Sequence, residues 1–390
     1  MKRRIPELDG LRAWMIFVVS WYHIWQQSWL RPSIGSYSLD YLVRSGYIWV
    51  DGTVLLSAFL LFLPYARAHR SGSPLPDTRQ FYARRVRRVL PSYYFILLLV
   101  FFAVALPWGL YQDGPFLVKD LATHFTFTFT FFYDTCVATP LGAACWTLAI
   151  EVQAYLLFPL IARASLRWPV RTAVILLLIC FGFRAWCLWA LTEYTMVVNQ
   201  LLNFLDVYVT GMLAARLYLR LEAGREARQG QKKQALLWSL LMTVLFFAFG
   251  FALVRMLRLQ AGSNGYDQIQ AHQMMYRPVF ALLFAGLVVT APFAARPLRA
   301  LLGNPVTRFL SAISMNYYLI HQTLIVHMKR LHFPASLSET PQMAGEQPWQ
   351  NQYTFWAFAL SLAAAILITF LVEKPAARAL EKRFTSSASA

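Results

Sequence analysis

The chain has 390 residues, of which 58% are hydrophobic, 16% aromatic and only 14% charged, with 36 basic against 18 acidic side chains and a formal balance of +18. A water-facing surface over one or more soluble domains needs roughly a quarter of its residues charged, so a soluble globular protein is excluded. Nucleic-acid binding, the usual reading of so basic a chain, fits poorly, because apolar runs long enough to cross a bilayer separate the basic residues.

A helix rises about 1.5 Å per residue, so about 20 mainly apolar residues cross a hydrocarbon core of about 30 Å. Ten runs meet that length, at about 11–30, 45–66, 89–110, 143–163, 170–192, 197–219, 235–257, 274–292, 309–328 and 354–372. The first is too long for a removable signal peptide and reads as a permanent span. The expected fold class is therefore an all-α polytopic membrane protein of about ten transmembrane helices. Cytoplasmic segments are enriched in Lys and Arg. Placing the N-terminus inside puts 27 of the 36 basic residues on the cytoplasmic side, from Lys2, Arg3, Arg4 and Arg12 through Arg67–Arg88 to Lys374, Arg378, Lys382 and Arg383. Both termini are then expected in the cytoplasm.

Between the third and fourth runs, residues 111–142 form the first sizeable outer segment. Its stretch from His124 to Tyr133 alternates Phe and Thr with period two, which predicts an extended or interface-lying piece rather than a span. Segment 331–353, with Pro334, Pro341, Gly345 and Pro348, reads as an outer loop. Residues 1–384 are expected to form one membrane domain and 385–390 a disordered tail. Four cysteines are present. Cys136 and Cys145 share the outer loop and either pair in an oxidising compartment or are small loop residues, while Cys180 and Cys187 read as packing residues. No cysteine pair has metal-ligand spacing with a neighbouring His, so no metal site is expected.

An ionisable group inside a span needs a partner, a wet cavity or a chemical task. His23 lies eleven residues after Arg12 on the first run, about 16 Å deeper along a helix. It is either a core imidazole or a general base, since imidazole titrates near neutrality. Glu151 stands about a third of the way into the fourth run, either as partner of a buried cation or as orienter of a catalytic imidazole. Asp206, near the middle of the sixth run, and Asp51 on the second read as structural. His321, halfway along the ninth, is a further candidate for the same cavity. The cluster Arg84, Arg85, Arg87 and Arg88, just before the third run, is denser than orientation requires. Arginine forks suit phosphate oxygens, and they equally suit anionic lipid headgroups.

These residues have a familiar order. The opening Arg4–Ala13 with Arg12 and His23 resembles the start of the membrane-bound acyltransferase family 3, an Arg followed eleven positions on by a His. Arg85 and Arg88, ahead of Pro91 and its aromatics, resemble the family's second signature. Trp146 to Pro159, with Glu151, resembles its Trp-Ser-Leu segment, and Ile313–His321 and Glu373–Pro375 sit where it has similar elements. The chain departs from the pattern where Ser57 is followed by Ala58 rather than Gly, and where Val152 stands in place of a second Glu. The resemblance implies acyl transfer from cytosolic acyl-CoA, acetyl-CoA above all, to a hydroxyl of a carbohydrate or glycan acceptor of the cell envelope, in the cytoplasmic (inner) membrane. It implies His23 and Glu151 as catalytic residues, and Arg85, Arg88, Arg84 and Arg12 as contacts of the donor. The partners it implies are acyl-CoA, the glycan acceptor and membrane lipid, with no nucleic acid. Some relatives carry a fused hydrolase-like domain; the sequence after Lys374 is too short for one, so transfer is expected to fall to the membrane domain, alone or with a separate partner. The rival from another class is a transporter or flippase, in which buried His, Glu and Asp form a proton or substrate path.

Overall fold

The computed structural model describes residues 4–142, 145–228 and 230–386, with side chains as far as Lys382. Lys2, Arg3 and the side chain of Arg383 from the inner basic set, and Ser387–Ala390 of the expected tail, lie outside the described residues; Thr385 and Ser386 still belong to a helix. Among the described residues ten helices have at least 22 residues: α1 Pro6–Ser28, α2 Trp49–Ser71, α3 Thr78–Val100, α4 Trp146–Arg167, α5 Pro169–Ala190, α6 Leu205–Glu226, α7 Lys232–Ala261, α8 Tyr266–Thr290, α9 Pro305–Arg330 and α10 Gln347–Ile368. Each overlaps one predicted run. Seven are long and apolar enough to cross a membrane. The other three, α1, α6 and α9, carry His23, Asp206 and His321. The described strands are two-residue pieces, Ser33–Ile34 pairing antiparallel with Tyr37–Ser38. The protein is thus an all-α polytopic membrane protein.

The chain organises into two compact units, one of residues 1–19, 44–76 and 157–312, the other of residues 20–43, 77–156 and 313–390. In the first unit α2 and α6 approach closely at Gly211, where a Cβ would stand 2.7 Å from the Leu55 carbonyl oxygen and 2.8 Å from the Ala58 Cβ. Glycine at this position lets two backbones meet, as small residues do between membrane helices. The same unit buries two ion pairs, Arg277 with Asp51 at 3.3 Å and Arg184 with Asp206 at 3.2 Å. The chain before α6 is not α-helical as predicted; it ends in a 3-10 turn. It bends through Leu201–Phe204 and offers backbone carbonyls to the arginines: Asn203 O accepts from Arg184 at 2.8 Å and from Arg277 at 3.2 Å, and Val198 O from Arg277 at 3.0 Å. Asp206 therefore sits in the first turn of α6 rather than mid-span. Every charge is met by an opposite one, as a buried ionisable group requires.

In the second unit the outer half of α1 packs on α9 and α10. Ser20 and Tyr317 share a hydrogen bond of 2.9 Å, the His23 and His321 rings are 5.2 Å apart, and Ile24, Ile325, Met328, Trp349, Tyr353 and Ala357 form one apolar cluster. Positions 317, 321, 325 and 328 are helix neighbours at spacings of three and four, so one stripe of α9 faces α1. Numbers rise together on both helices, so α1 and α9 run parallel.

Within segment 111–142 the stretch from His124 to Tyr133 is not extended, and it is not a span either. Asp113 caps a helix, Gly114–Phe125, by accepting from Phe116 N at 2.6 Å. This helix folds back along α3 until its final carbonyls meet tyrosines on that helix. Tyr93 OH donates to His124 O at 2.9 Å and Tyr94 OH to Phe125 O at 2.8 Å. Tyrosine hydroxyls thereby satisfy carbonyls that a helix end leaves without partners. The alternation fails as a strand signal because Phe127 takes a positive φ of 58° and turns the chain, and Phe129–Phe131 coils as a 3-10 turn. Cys136 is half-buried and Cys145 buried, and both are free thiols.

Candidate functional site

The site lies in the second unit and begins at the start of α3. Asp77 caps that helix, its side chain accepting from Gln80 N at 2.8 Å, so the helix begins at Thr78 rather than at the predicted 89. The arginine cluster is consequently helical, and helix spacing sorts it. Phe81, Arg84, Arg85 and Arg88 share one face. Arg85 lies between the rings of Phe81 and Tyr155, 5.8 and 5.6 Å from their centroids. Arg88 is exposed and Arg84 half-buried. Arg87 points elsewhere and pairs with Glu381 at 2.9 Å, tying α3 to the terminal helix Lys374–Ser386.

From Arg85 a chain of polar groups runs inward. Tyr155 OH donates to Glu151 Oε2 at 2.6 Å, one helical turn apart on α4. Glu151 is in turn an electrostatic neighbour of both Arg85 and the buried Tyr318 of α9. The Tyr318 carbonyl accepts from His321 Nδ1 at 2.6 Å. That bond places the proton of His321 on Nδ1 and leaves Nε2 bare, a buried nitrogen without a hydrogen-bond partner among the described residues. Tyr317 stacks parallel to the His321 ring at 6.0 Å, and on the other side stands His23. His23 is half-buried while His321 is wholly so. Its Nδ1 lies 3.0 Å from Gln26 Oε1.

A second branch leaves Arg88. Asn316 Nδ2 donates to Glu373 Oε2 at 2.6 Å and to Thr369 Oγ1 at 2.7 Å. Both acceptors lie in a π-helical turn, Thr369–Glu373, between α10 and the terminal helix. Such turns widen a helix locally and recur at functional sites. Arg88 and Ser92 are the electrostatic neighbours that face Glu373 from α3.

Of the residues singled out from the sequence, the structure gathers His23, His321, Glu151, Arg85 and Arg88 into this one unit. Arg84 is on the same helix face, and Arg12 is half-buried on the part of α1 that belongs to the other unit. No hydrogen bond or ion pair among the described residues joins Glu151 to His23; Glu151 is held by Tyr155 and His23 by Gln26. The sequence reading gave no role to Tyr155 and Tyr318, which lie inside the motif segments, and passed over Asn316 and Gln26. Tyr155 and Gln26 were within reach of helix spacing, four residues after Glu151 and three after His23. Among the described residues no group of three or more His, Cys, Asp or Glu side chains converges as a metal site would require.

Arginines on one helix face, a carboxylate bonded by tyrosine and a pair of neighbouring imidazoles, all on long helices, mark this as a polytopic membrane protein with a cluster of ionisable groups in one unit. The chain belongs to acyltransferase family 3, whose acyltransferase domain it matches over residues 5–374. It is 29% identical over 190 residues to the peptidoglycan O-acetyltransferase OatA of Listeria monocytogenes, a match covering 46% of this chain and 28% of that protein. It is 30% identical over 169 residues to the putative peptidoglycan O-acetyltransferase YrhL of Bacillus subtilis, covering 40% and 24%. It is also 30% identical over 191 residues to the O-acetyltransferase OatA of Staphylococcus aureus, covering 46% and 29%. The matched stretch spans less than a third of each of these relatives. No solved structure matches the chain.

Proposed function

We propose that this protein is an O-acyltransferase of the cytoplasmic (inner) membrane that moves an acetyl group from cytosolic acetyl-CoA to a hydroxyl of a cell-envelope glycan. The observation that carries the proposal is the gathering in one unit of the Arg85 cation on Tyr155, the Tyr155–Glu151 hydrogen bond and the neighbouring rings of His321 and His23, with arginine at one end and imidazole at the other. One end suits a polyanionic donor and the other a hydroxyl. The names of the relatives in Listeria and Bacillus support peptidoglycan as the first acceptor to try.

In this reading Arg85 and Arg88 hold donor phosphates, with Arg84 beside them, because guanidinium forks bind phosphate oxygens in pairs. Arg12 keeps a donor role on the strength of its motif spacing to His23. The pantetheine arm carries the thioester from the arginines toward the imidazoles. His23 accepts the proton of the acceptor hydroxyl as its oxygen attacks the thioester carbonyl; the C–S bond then breaks and the proton passes to the departing CoA thiolate. Glu151 serves the reaction through Tyr155, its carboxylate balancing the Arg85 cation next to the stacked ring.

The test is transfer of radiolabelled acetyl groups from acetyl-CoA to purified peptidoglycan strands by the protein in nanodiscs, with free thiol counted in parallel. One thiol is expected per acetyl ester formed, and His23→Ala is expected to lower the rate by at least about a hundredfold, the scale of positioned acid–base catalysis. Full transfer by His23→Ala removes that residue from the chemistry. Passage of glycan precursors across vesicles without thioester turnover overturns the enzyme reading in favour of transport.

A further inference from the structure

We propose that Gln26 is the positioning residue of His23, its side-chain carbonyl fixing the imidazole as the Nδ1–H tautomer and leaving Nε2 bare toward the acceptor hydroxyl. The proposal rests on the reading of His23 as the base, and gives Gln26 the orienting part that the motif pattern suggested for Glu151.

The geometry is local. Gln26 Nε2 donates to Tyr22 OH at 2.9 Å, and Gln26 Oε1 faces His23 Nδ1 at 3.0 Å. With its amine directed to Tyr22, the amide turns an atom that only accepts toward the ring, and in this orientation Nδ1 carries the hydrogen. Tyr22, His23 and Gln26 form one patch of α1, since residues three and four apart are neighbours on a helix. The ring is neighboured by Tyr22 with centroids 5.1 Å apart and by His321 at 5.2 Å, while Trp25 stacks on Tyr22 at 6.2 Å.

The other polar neighbours are committed elsewhere. His321 directs its own Nδ1 to the Tyr318 carbonyl, and Glu151 accepts from Tyr155. An amide differs from a carboxylate in chemical consequence. It orients the ring without adding a negative charge that holds a proton on it, so the imidazolium formed in the forward step gives its proton up readily to the leaving thiolate.

The test uses full-length protein in nanodiscs with 15N-labelled histidine, His23 being assigned by its disappearance in His23→Asn. The expected spectrum has a protonated Nδ1 and a bare Nε2. Gln26→Met, of similar length but without an acceptor, is expected to give His23 a mixture of tautomers. It should also lower acetyl transfer to glycan strands about ten- to a hundredfold with an unchanged KM for acetyl-CoA, and Gln26→Glu, which keeps an acceptor oxygen but adds the charge, should restore the Nδ1–H tautomer and only part of the turnover. A His23 protonated at Nε2 in the wild type, or a tautomer unmoved by Gln26→Met, overturns the proposal, while a dead His23→Ala in the same assay leaves the functional reading standing. A tautomer that moves while turnover does not locates the failure in His23 as base and overturns both.

Discussion

Arg85 is the side chain whose surroundings separate a ligand contact from an orientation signal. A cation set between two rings, Phe81 and Tyr155, has a fixed plane, and desolvated contacts of this kind reach about 2 kcal/mol. Arg87, two residues on, is occupied by Glu381. Arg85→Ala is therefore expected to raise the KM for acetyl-CoA about tenfold, equivalent to about 1.4 kcal/mol, with Arg85→Lys only partly restoring it because an ammonium lacks the planar fork. Arg87→Ala should change that KM by less than about twofold. Equal effects of the two alanine variants would return the cluster to a general role in orientation and lipid contact. At this scale the ionisable members of the candidate site were legible, because His23 and Glu151 interrupt apolar runs where a charge is costly and the arginines crowd the start of one. Tyr155, Tyr318 and Gln26 were not, since tyrosine and glutamine occur throughout membrane helices and only a partner at three or four residues distinguishes them.

Helices were legible by length and misjudged at their ends, for a physical reason visible in α3. A hydropathy reading stops where charges begin, whereas the backbone continues through Arg88, Arg85 and Arg84 to the cap at Asp77. Those arginines then acquire the helical spacing that sorts them. The Phe–Thr alternation misled in the opposite sense. It matches a strand only in a chain free to extend, and here Asp113 starts a helix whose end is secured by Tyr93 and Tyr94. Asp206 was misplaced because the bend before α6 is created by distant arginines, a tertiary cause with no local signal. The contact of α2 with α6 belongs to the same scale. Gly211→Ala brings a methyl group to 2.7 Å from the Leu55 carbonyl oxygen, and overpacking of this kind costs about 1–3 kcal/mol. The expected result is a lower thermal midpoint in detergent with unchanged acetyl transfer per folded molecule at low temperature. An unchanged midpoint would mean that α2 and α6 part without cost.

For the molecule in its membrane, charge and packing give one direction to each helix. Alternate crossing from an inner N-terminus makes the first and ninth spans parallel, and α1 and α9 are parallel where Ser20 meets Tyr317 and His23 meets His321. It makes the third and tenth antiparallel. Arg87 of α3 pairs with Glu381, beyond the end of α10, so the beginning of one helix lies at the end of the other. The basic start of α3 and the C-terminal helix must then share a side, which the distribution of Lys and Arg assigns to the cytoplasm. Arg378 is exposed on that helix and Glu339 is exposed in the loop between α9 and α10. The native thiols Cys136 and Cys145 are poor competitors for a label, since burial pushes Cys136 up to about 11 and Cys145 is buried. With membrane-impermeant maleimide on right-side-out vesicles, Glu339→Cys is expected to label at once and Arg378→Cys only after the membrane is opened. The reverse pattern would place the Arg85 face away from cytosolic acetyl-CoA, and labelling of both from outside would require an odd number of crossings between α9 and the terminal helix to be abandoned. The donor assignment and the direction of the helices therefore stand or fall on the same pair of cysteines.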